Sequence, residues 1–358
     1  MPLLTSENID EAVRVCMRAR VPFAIYRSKG SENVYLFADD NTSEKISDNT
    51  FFVSPWNGER AIILDDRLSL DCLRDMPASD CRQDDACPDF EPSTPREYYL
   101  ESLGALISQL KAEGGKTVIS RIITKNAEID IPAAAKICFE RRKDATCCIC
   151  TDADGEIWLI ASPELLLNVD WASRKATTMS LAGTKPVESE TPWDKKNIEE
   201  HDIVTSYIAE RMRHLGTEVS VSDVFTRDSA TVSHLCCMIQ AGLCDGITGN
   251  MAAAYLSPTP AVCGVPVEKA RRNISDIEKH LRGLYAGYFG VETPGKDFTA
   301  WVTLRCARLR KNGFCIYSGS GITAESNPED EWNETAIKAR PLVNILDRKS
   351  VSNYEQQR

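Results

Sequence analysis

The sequence predicts a mixed fold of the α+β or α/β class. Three observations support this prediction. The 358-residue chain is 42% hydrophobic, which is enough for a substantial core. Short runs with the two-residue period of strands alternate irregularly with longer runs of helical period. The sequence contains no internal repeat, no P-loop and no dinucleotide-binding fingerprint, so repeat and nucleotide-binding folds are not favoured.

The first 73 residues predict one helix and then four short strands. The helix lies within MPLLTSENIDEAVRVCMRAR, with Ser6 or Asn8 as its cap. Turn-forming residues separate the strand-like runs PFAIYRS, NVYLFAD, FFVSPW and AIILDD. Residues 74–94 are acidic, rich in turn formers and without periodicity. They therefore predict a surface loop or linker.

From residue 95 to 219 the predicted elements are longer. A helix follows Pro95 and ends at Gly114-Gly115. The strand KTVISRIIT, a helix near Ile131–Arg141 and the strands ATCCICTDA and EIWLIAS come next. The strand ATTMSLAGT then leads into a long helix, DKKNIEEHDIVTSYIAERMRHLG. This part of the chain alternates between the two kinds of element.

Beyond residue 220 the pattern predicts a strand, a helix, the loop SPTPAVCGVP, the helix EKARRNISDIEKHLRG and strands around WVTLRCARLR and FCIYSGSG. The run YSGSGITAESNPEDEWNETAIK then predicts a glycine-rich turn and a helix. Gly319 and Gly321 permit close backbone approach, so their amides are candidates for holding an anion. Asn327-Pro328 opens the helix. Three charged side chains share one face of it: Glu331, Glu334 and Lys338. The acidic residues could equally complement the helix N-terminus.

Charge and hydropathy argue against several kinds of partner. The net charge is −11 and no basic block offsets it, so neither nucleic acid nor an anionic membrane surface is an expected partner. No apolar run approaches the length of a membrane span, and the N-terminus lacks a signal-peptide core. We therefore expect a cytoplasmic protein, with a monomer as the default state.

The 14 cysteines are expected to be reduced thiols, many of them buried. Two clusters could in principle hold zinc: Cys147, Cys148 and Cys150, and Cys236, Cys237 and Cys244. The paired spacing of a zinc ribbon is absent, and alternate strand residues would direct Cys148 and Cys150 into one core. We predict core positions for both clusters.

Several polar residues lie where a predicted strand or turn meets a helix. Lys116 begins a strand after two glycines, and Glu164 follows a strand in ASPELLL. Lys196 and Glu200 are four residues apart on the long helix, and His234 is isolated in the apolar segment TVSHLCC. Taken alone, these residues have ordinary explanations: a solvated lysine, a helix-start carboxylate, a surface ion pair and a core histidine.

Taken together, the segments resemble the chorismate-utilising enzymes, which include isochorismate synthase, salicylate synthase, anthranilate synthase component I and aminodeoxychorismate synthase component I. The matching segments follow the family's order within residues 95–345: KTVISR, SPE, LAGTKP, KNIEEH, SHL, SPTPAVCGVP, RGLYAG, LR and the run from Tyr317. The resemblance implies a two-lobed sandwich of large antiparallel sheets with outer helices, binding chorismate and Mg²⁺ between the lobes. Residues 1–94 match weakly, and we expect 1–358 to form a single chorismate-binding enzyme domain.

The resemblance also assigns roles by position. Glu200 and Glu334 match the carboxylates that bind the metal, and Glu331 and Glu199 would support them through water. The ring carboxylate of chorismate would complete the metal shell, and the enolpyruvyl carboxylate would meet an arginine, a tyrosine and backbone amides. The substrate-binding residues implied in this way are Thr184, His234, Ala261, Tyr285, Arg305, Gly319, Gly321 and Lys338.

Three positions indicate the branch of the family. Lys116 matches the base that activates water for attack on ring C2 in isochorismate and salicylate synthases, a role that requires a lowered pKa. Glu164 matches the acid that protonates the departing C4 hydroxyl, so its pKa should be raised. Ala182 replaces the nucleophilic lysine common in aminodeoxychorismate synthases. We therefore predict an isochorismate synthase that requires Mg²⁺ and serves menaquinone or siderophore biosynthesis.

Two departures from the family pattern remove no proposed catalytic group. Asn197 stands where the family often has an acidic residue, and Ser257 replaces the histidine usual before PTPA. Three alternatives stay open: a salicylate synthase that goes on to eliminate pyruvate, a catalytically silent partner subunit, and a cysteine-based metal or redox protein. No glutamine amidotransferase subunit is expected, because an enzyme that uses water needs no ammonia.

Overall fold

The computed structural model describes residues 3–39, 49–78 and 90–347. Within this part of the chain, two nine-stranded sheets face each other, and helices cover them. Neighbouring strands run antiparallel. The predicted α+β sandwich of large antiparallel sheets is therefore confirmed. Part of the loop predicted at 74–94 lies outside the described residues.

The first sheet has the order β1-β3-β2-β7-β8-β17-β18-β6-β14. Its strands are β1 (Leu3–Leu4), β2 (Phe23–Arg27), β3 (Val34–Ala38), β6 (Lys116–Asn126), β7 (Thr146–Thr151), β8 (Ile157–Ser162), β14 (Gly264–Val265), β17 (Cys306–Arg310) and β18 (Gly313–Ile322). The longest pairing in this sheet joins β6 and β18 over ten residue pairs. This pairing brings residues from the middle and the end of the chain together.

The second sheet has the order β11-β13-β10-β9-β16-β15-β4-β5, and β12 also pairs with β13. Its strands are β4 (Thr50–Ser54), β5 (Ile62–Asp65), β9 (Leu165–Asp170), β10 (Lys175–Pro186), β11 (Gly216–Val221), β12 (Phe225–Ser229), β13 (Val232–Leu243), β15 (Tyr288–Thr293) and β16 (Asp297–Val302). The register of β10 against β13 shifts between Ala182 and Lys185. Such a bulge changes the direction of the side chains around it.

Eight α-helices complete the described part of the chain: α1 (Ile9–Ala19), α2 (Leu70–Asp75), α3 (Arg96–Glu113), α4 (Ile131–Arg141), α5 (Lys195–Leu215), α6 (Gly249–Leu256), α7 (Val267–Ile277) and α8 (Pro328–Leu346). Helices α1, α4 and α8 share a core layer with the first sheet. Helix α5 packs on β10 and β13. None of the described helices combines the length and apolar character that a membrane span needs.

The first sheet is buried on both faces, which explains its nearly continuous hydrophobic strands. In β8, Trp158 and Ile160 contribute to the core between the sheets, whereas Leu159 and Ala161 contribute to the layer beneath the helices. The cysteines follow the same alternation, because Cys148 and Cys150 belong to the core between the sheets and Cys147 belongs to the other layer.

The core prediction for the cysteine clusters is confirmed at five of six positions. Cys147, Cys148, Cys150, Cys236 and Cys237 are buried. Cys244 is exposed, because it follows the end of β13, so the prediction is wrong at that position.

Most predicted helix ends are observed. Asn327 caps α8 by accepting hydrogen bonds from the amides of Glu329 and Asp330 at 2.9 and 3.4 Å. The side chain of Asn8 precedes α1 without making such a bond, and Ser6 lies in a short 3₁₀ turn. Helix α7 ends at Ile277, earlier than predicted. The reason is that Glu278 turns into an extended conformation and pairs with Arg282 at 2.6 Å.

Aromatic side chains hold the two sheets together. Tyr26 of the first sheet packs edge-on against Phe289 of the second, with ring centroids 6.3 Å apart. Phe37 similarly meets Phe51 at 5.8 Å. The indole of Trp301 donates a hydrogen bond to the Tyr26 hydroxyl at 3.2 Å. The position of one sheet over the other therefore depends on this small cluster.

We expect Phe289→Ala to lower the free energy of unfolding by about 3–5 kcal/mol, because it opens a cavity between the sheets. Urea denaturation of the purified protein measures this loss. Leu281→Ala is the matched control, because Leu281 is 82% exposed and its removal should cost less than about 0.5 kcal/mol. Equal losses in the two variants would show that Phe289 does not bridge the sheets.

Candidate active site

A hollow of about 60 Å³ lies where the two sheets, α5 and α8 meet. Its walls include both predicted catalytic residues, Lys116 and Glu164, and also Glu200. All eight predicted substrate-binding residues line it: Thr184, His234, Ala261, Tyr285, Arg305, Gly319, Gly321 and Lys338. Ala182 lines it as well. Residues separated by more than 200 positions in the sequence therefore share one cavity.

Lys116 and Glu200 form a buried ion pair in this hollow. The Lys116 ammonium lies 2.9 Å from Glu200 Oε1, and the two side chains are 1% and 9% exposed. Burial alone would raise the pKa of Glu200, but Lys116 and Lys196 outweigh it and lower that pKa to about 2. A Cβ at Gly321 would collide with the Glu200 carboxylate and lie 2.7 Å from Lys116 Cε. Glycine at 321 is therefore what lets β6, β18 and α5 bring the pair together.

Glu164 lies between β8 and β9, where its backbone is fixed on both sides. Its carbonyl accepts from Val302 N at 3.0 Å, and its amide donates to Ser162 Oγ at 3.3 Å. Its side chain is buried and Oε1 has no hydrogen-bond partner. Burial raises the pKa of Glu164 to about 8, although Lys116, Lys338 and Arg227 act in the opposite direction. At neutral pH the carboxyl group is therefore mostly protonated, which is the form that a general acid needs.

A buried arginine forms another wall. Arg305 is 8% exposed, its Nη1 has no hydrogen-bond partner, and burial lowers its pKa to about 10. Its Nη2 lies 3.4 Å from His234 Nε2, and His234 Nδ1 lies 2.8 Å from the carbonyl oxygen of Gly183. A carbonyl can only accept and a guanidinium can only donate, so His234 is the neutral tautomer with its proton on Nδ1. Its lowered pKa, about 3 because of burial, agrees with this assignment.

The predicted glycine-rich turn is a strand. Gly319 and Gly321 lie within β18, so the prediction of a turn was wrong, because the long pairing with β6 extends the strand to Ile322. A Cβ at Gly319 would lie 2.5 Å from the Tyr285 hydroxyl. The Gly319 carbonyl accepts from Lys338 at 3.3 Å instead of from β6. In an antiparallel strand the amide of a residue points to the same side as its carbonyl, so this amide also faces away from β6.

A second cavity of about 320 Å³ adjoins the hollow at Thr184, which lines both. Glu331 and Glu334 lie in its wall. Lys196 connects the two cavities, because its ammonium lies 3.5 Å from Glu200 and 3.1 Å from Glu331. The i,i+4 pair between Lys196 and Glu200 is therefore present, but it is not on the surface, because Lys196 is only 19% exposed.

The acidic residues differ in their surroundings. Glu331 is buried with Oε2 unpartnered, and burial together with the nearby Glu334 raises its pKa. Glu334 pairs with Lys338 at 2.6 Å. Glu199 instead pairs with Lys195 on the exposed side of α5 and lines neither cavity. Among the described residues, no three His, Cys, Asp or Glu side chains are grouped closely enough to hold a metal ion.

Some residues of the hollow were not predicted from the sequence: Pro163, Leu181, Leu304, Tyr317 and Ser318. Each lies within two positions of a predicted residue in the sequence. Tyr317 stacks on Tyr285, with ring centroids 5.8 Å apart. Closeness in the sequence to a predicted residue was therefore the signal available. The sequence did not show which of these side chains would face the hollow.

A family model for chorismate binding enzymes matches residues 76–347. The chain belongs to this family. The predicted resemblance is thereby confirmed. Isochorismate synthase DhbC of Bacillus subtilis is 33% identical over 198 residues, which are 52% of this chain and 49% of that protein. Isochorismate synthase EntC of Escherichia coli is 30% identical over 269 residues, which are 70% of this chain and 68% of that protein. The match thus spans about half to two thirds of these relatives.

The fold agrees with solved structures of the family. The DhbC protein of Bacillus anthracis superposes with a TM-score of 0.75 over 93% of this chain and 99% of that one, at 22% identity. At this identity the comparison supports the fold alone. Because the superposition covers 93% of this chain, most of the weakly matching residues 1–94 share this architecture.

We expect one glutamate of the native protein to titrate near pH 8. Its folded pKa of about 8 lies above the ordinary value of 4.5, so the stability that this proton contributes is complete below about pH 4.5 and is lost as the pH rises through 8. Carbon-13 NMR of protein labelled at the glutamate carboxyls measures the titration. The signal should disappear in Glu164→Gln and persist in the control Glu199→Gln. If it persisted in Glu164→Gln, Glu164 would not be the raised group.

Proposed function

We propose that this protein is an isochorismate synthase, which converts chorismate to isochorismate by adding water at C2 and releasing the C4 hydroxyl. One observation carries the proposal: a lysine from β6 and a protonated glutamate from the β8–β9 connection line the same hollow as a buried arginine. The two relatives described above are isochorismate synthases, which supports the same activity. Isochorismate synthases supply menaquinone and siderophore pathways, and we propose one of these roles here.

The base and the acid act on opposite ends of the rearranging ring system. The Lys116 amine takes a proton from water, the resulting hydroxide forms a bond to C2, and both ring double bonds shift, from C1=C2 and C5=C6 to C1=C6 and C4=C5. The bond from C4 to its hydroxyl breaks as Glu164 donates its proton, so a water molecule leaves. The proton taken up by Lys116 must then return to Glu164 before the next turnover. No net proton is consumed, as an isomerisation requires.

Glu200 controls whether Lys116 can act as the base. The carboxylate lies 2.9 Å from the Lys116 nitrogen, and this contact favours the ammonium form. A general base must be the neutral amine, so the contact has to be exchanged before water is activated.

The substrate carboxylates have two separate sets of partners. Arg305 offers an unpartnered, buried Nη1, and its planar guanidinium suits a carboxylate. The Tyr285 hydroxyl lies close to Gly319, and both residues line the hollow with Arg305, so we propose that the three meet the enolpyruvyl carboxylate. The ring carboxylate would then lie toward Glu200 and the second cavity.

The acidic residues fit Mg²⁺ by their chemistry. Carboxylate oxygens are its preferred protein ligands, and the unpartnered Oε2 of the buried Glu331 is available to such an ion. We propose that Glu200 and Glu334 would hold Mg²⁺, with Glu331 beside them, after these side chains close on the ion, because they are not grouped closely enough in this structure. When bound, this ion supplies positive charge for the ring carboxylate. The lysines that now contact these residues would have to exchange partners, because Lys116, Lys196 and Lys338 neutralise them in this structure.

We expect purified protein to convert chorismate to isochorismate in the presence of Mg²⁺, as followed by liquid chromatography. Lys116→Gln should lower kcat at least about 100-fold, because the base is lost. Lys195→Gln, on the exposed face of α5, is the matched control and should retain kcat. Stoichiometric pyruvate would instead indicate a salicylate synthase, and absence of product would indicate a silent family member.

We expect Glu334→Gln to weaken Mg²⁺ binding about tenfold or more, because a neutral amide replaces a ligating carboxylate. Isothermal titration with MgCl₂ measures this affinity, and titration with chorismate at fixed Mg²⁺ should show a parallel loss. Glu329→Gln is the control, because Glu329 lies in the first turn of the same helix and is 54% exposed. Normal Mg²⁺ affinity in Glu334→Gln would remove Glu334 from the metal site.

A further inference from the structure

Asn197 occupies a position that the proposed mechanism does not use. It lies in the first turn of α5 and is 8% exposed. Its Oδ1 accepts a hydrogen bond from the amide of Thr184 at 2.9 Å, and its Nδ2 donates to Asp194 Oδ1 at 2.8 Å. Asp194 is also the helix cap, because it accepts from the backbone amide of Asn197 at 2.8 Å. One carboxamide therefore joins the start of α5 to strand β10.

The segment of β10 that Asn197 contacts is irregular. The pairing with β13 shifts register between Ala182 and Lys185, and Gly183 has a φ of +70°. A Cβ at Gly183 would approach Asn197 to 3.0 Å, so α5 lies directly against the bulge. Thr184 cannot use a regular ladder at this register shift, and its amide is satisfied by Asn197 instead. The side chain of Asn197 thus fixes the shape of the bulge.

The bulge in turn orients the carboxylate-binding end of the hollow. The Gly183 carbonyl accepts from His234 Nδ1 at 2.8 Å, and the Thr184 hydroxyl lies 3.3 Å from the same nitrogen. His234 Nε2 faces Arg305 Nη2 at 3.4 Å. Arg305 has a left-handed backbone, with φ of +48°, and a partly unpartnered guanidinium. The orientation of the Arg305 side chain must therefore be imposed by the residues around it.

We infer that Asn197 is a positioning residue that holds Arg305 ready for a substrate carboxylate, through the bulge at Gly183-Thr184 and His234. This inference rests on the proposed function, because the carboxylate that Arg305 would bind belongs to the proposed substrate. It also explains why an amide stands where the family often has an acid. The group at 197 must accept from Thr184 and donate to Asp194, and a carboxylate cannot donate. Aspartate at 197 would place two carboxylates in hydrogen-bond contact.

The test compares Asn197→Asp with the exchanged pair Asp194→Asn/Asn197→Asp. The single variant keeps the size of the side chain but loses the donor, and we expect the KM for chorismate to rise about tenfold with kcat within about twofold of wild type. The exchanged pair restores one donor and one acceptor between the two positions. It should return the KM to within about twofold. Asn33→Asp, at an exposed position, controls for the added charge.

Amide hydrogen exchange in a peptide covering 181–186 provides a readout that does not need turnover. Exchange should accelerate in Asn197→Asp and return to the wild-type rate in the exchanged pair. Unchanged KM in Asn197→Asp, or faster exchange without a change in KM, would overturn the inference. Failure of the exchanged pair to restore the KM would also overturn it.

Two further outcomes are covered by the same design. If Asn197→Asp does not fold, the exchanged pair decides alone, because a wild-type KM supports the inference and a raised KM contradicts it. If wild-type protein does not convert chorismate, the proposed function fails. The Kd for chorismate, measured by titration calorimetry, then replaces the KM. The inference is overturned if Asn197→Asp leaves this Kd unchanged. It is also overturned if the wild-type protein does not bind chorismate.

Discussion

The buried ion pair between Lys116 and Glu200 is the interaction on which the rest of the site depends. Two charges removed from water are costly unless they are paired, and their contact at 2.9 Å offsets that cost. The contact exists because Gly321 presents no side chain to either partner. The missing side chain of one strand thus determines how close the amine of β6 and the carboxylate of α5 can lie.

Burial also determines the protonation and the hydrogen bonding of the other groups in the hollow. Burial keeps Glu164 protonated, makes His234 neutral and leaves one nitrogen of Arg305 without a partner. These states suit different tasks. The protonated carboxyl group can donate a proton, the neutral imidazole can hold the arginine, and the unpartnered guanidinium nitrogen can bind an anion. Lys196 contributes further positive charge between the two cavities, where it contacts Glu200 and Glu331. The site therefore combines a protonated carboxyl group with several buried or half-buried cations, which favour an anionic ligand.

The sandwich brings these groups together from distant parts of the chain. Lys116 begins β6, Glu164 follows β8 and Glu200 lies in α5, whereas Arg305 precedes β17. Long antiparallel pairings, such as β6 with β18, fix the strands, and the aromatic cluster around Tyr26 and Phe289 fixes one sheet over the other. The rigidity of the site thus derives from packing that is itself remote from it.

The sequence by itself determined the family, the class of fold and most of the residues that line the hollow, because motifs such as PTPAVCG and RGLYAG have a fixed order and unusual composition. It also indicated the start of α8 at Asn327-Pro328, which is a local signal. Only the tertiary structure decided that the strand continues through Gly319 and Gly321 to Ile322 with no turn at the glycines, that Lys196 is half-buried between two carboxylates and that Glu199 faces outward. These outcomes depend on contacts between residues far apart in the chain, and local propensity carries no record of such contacts.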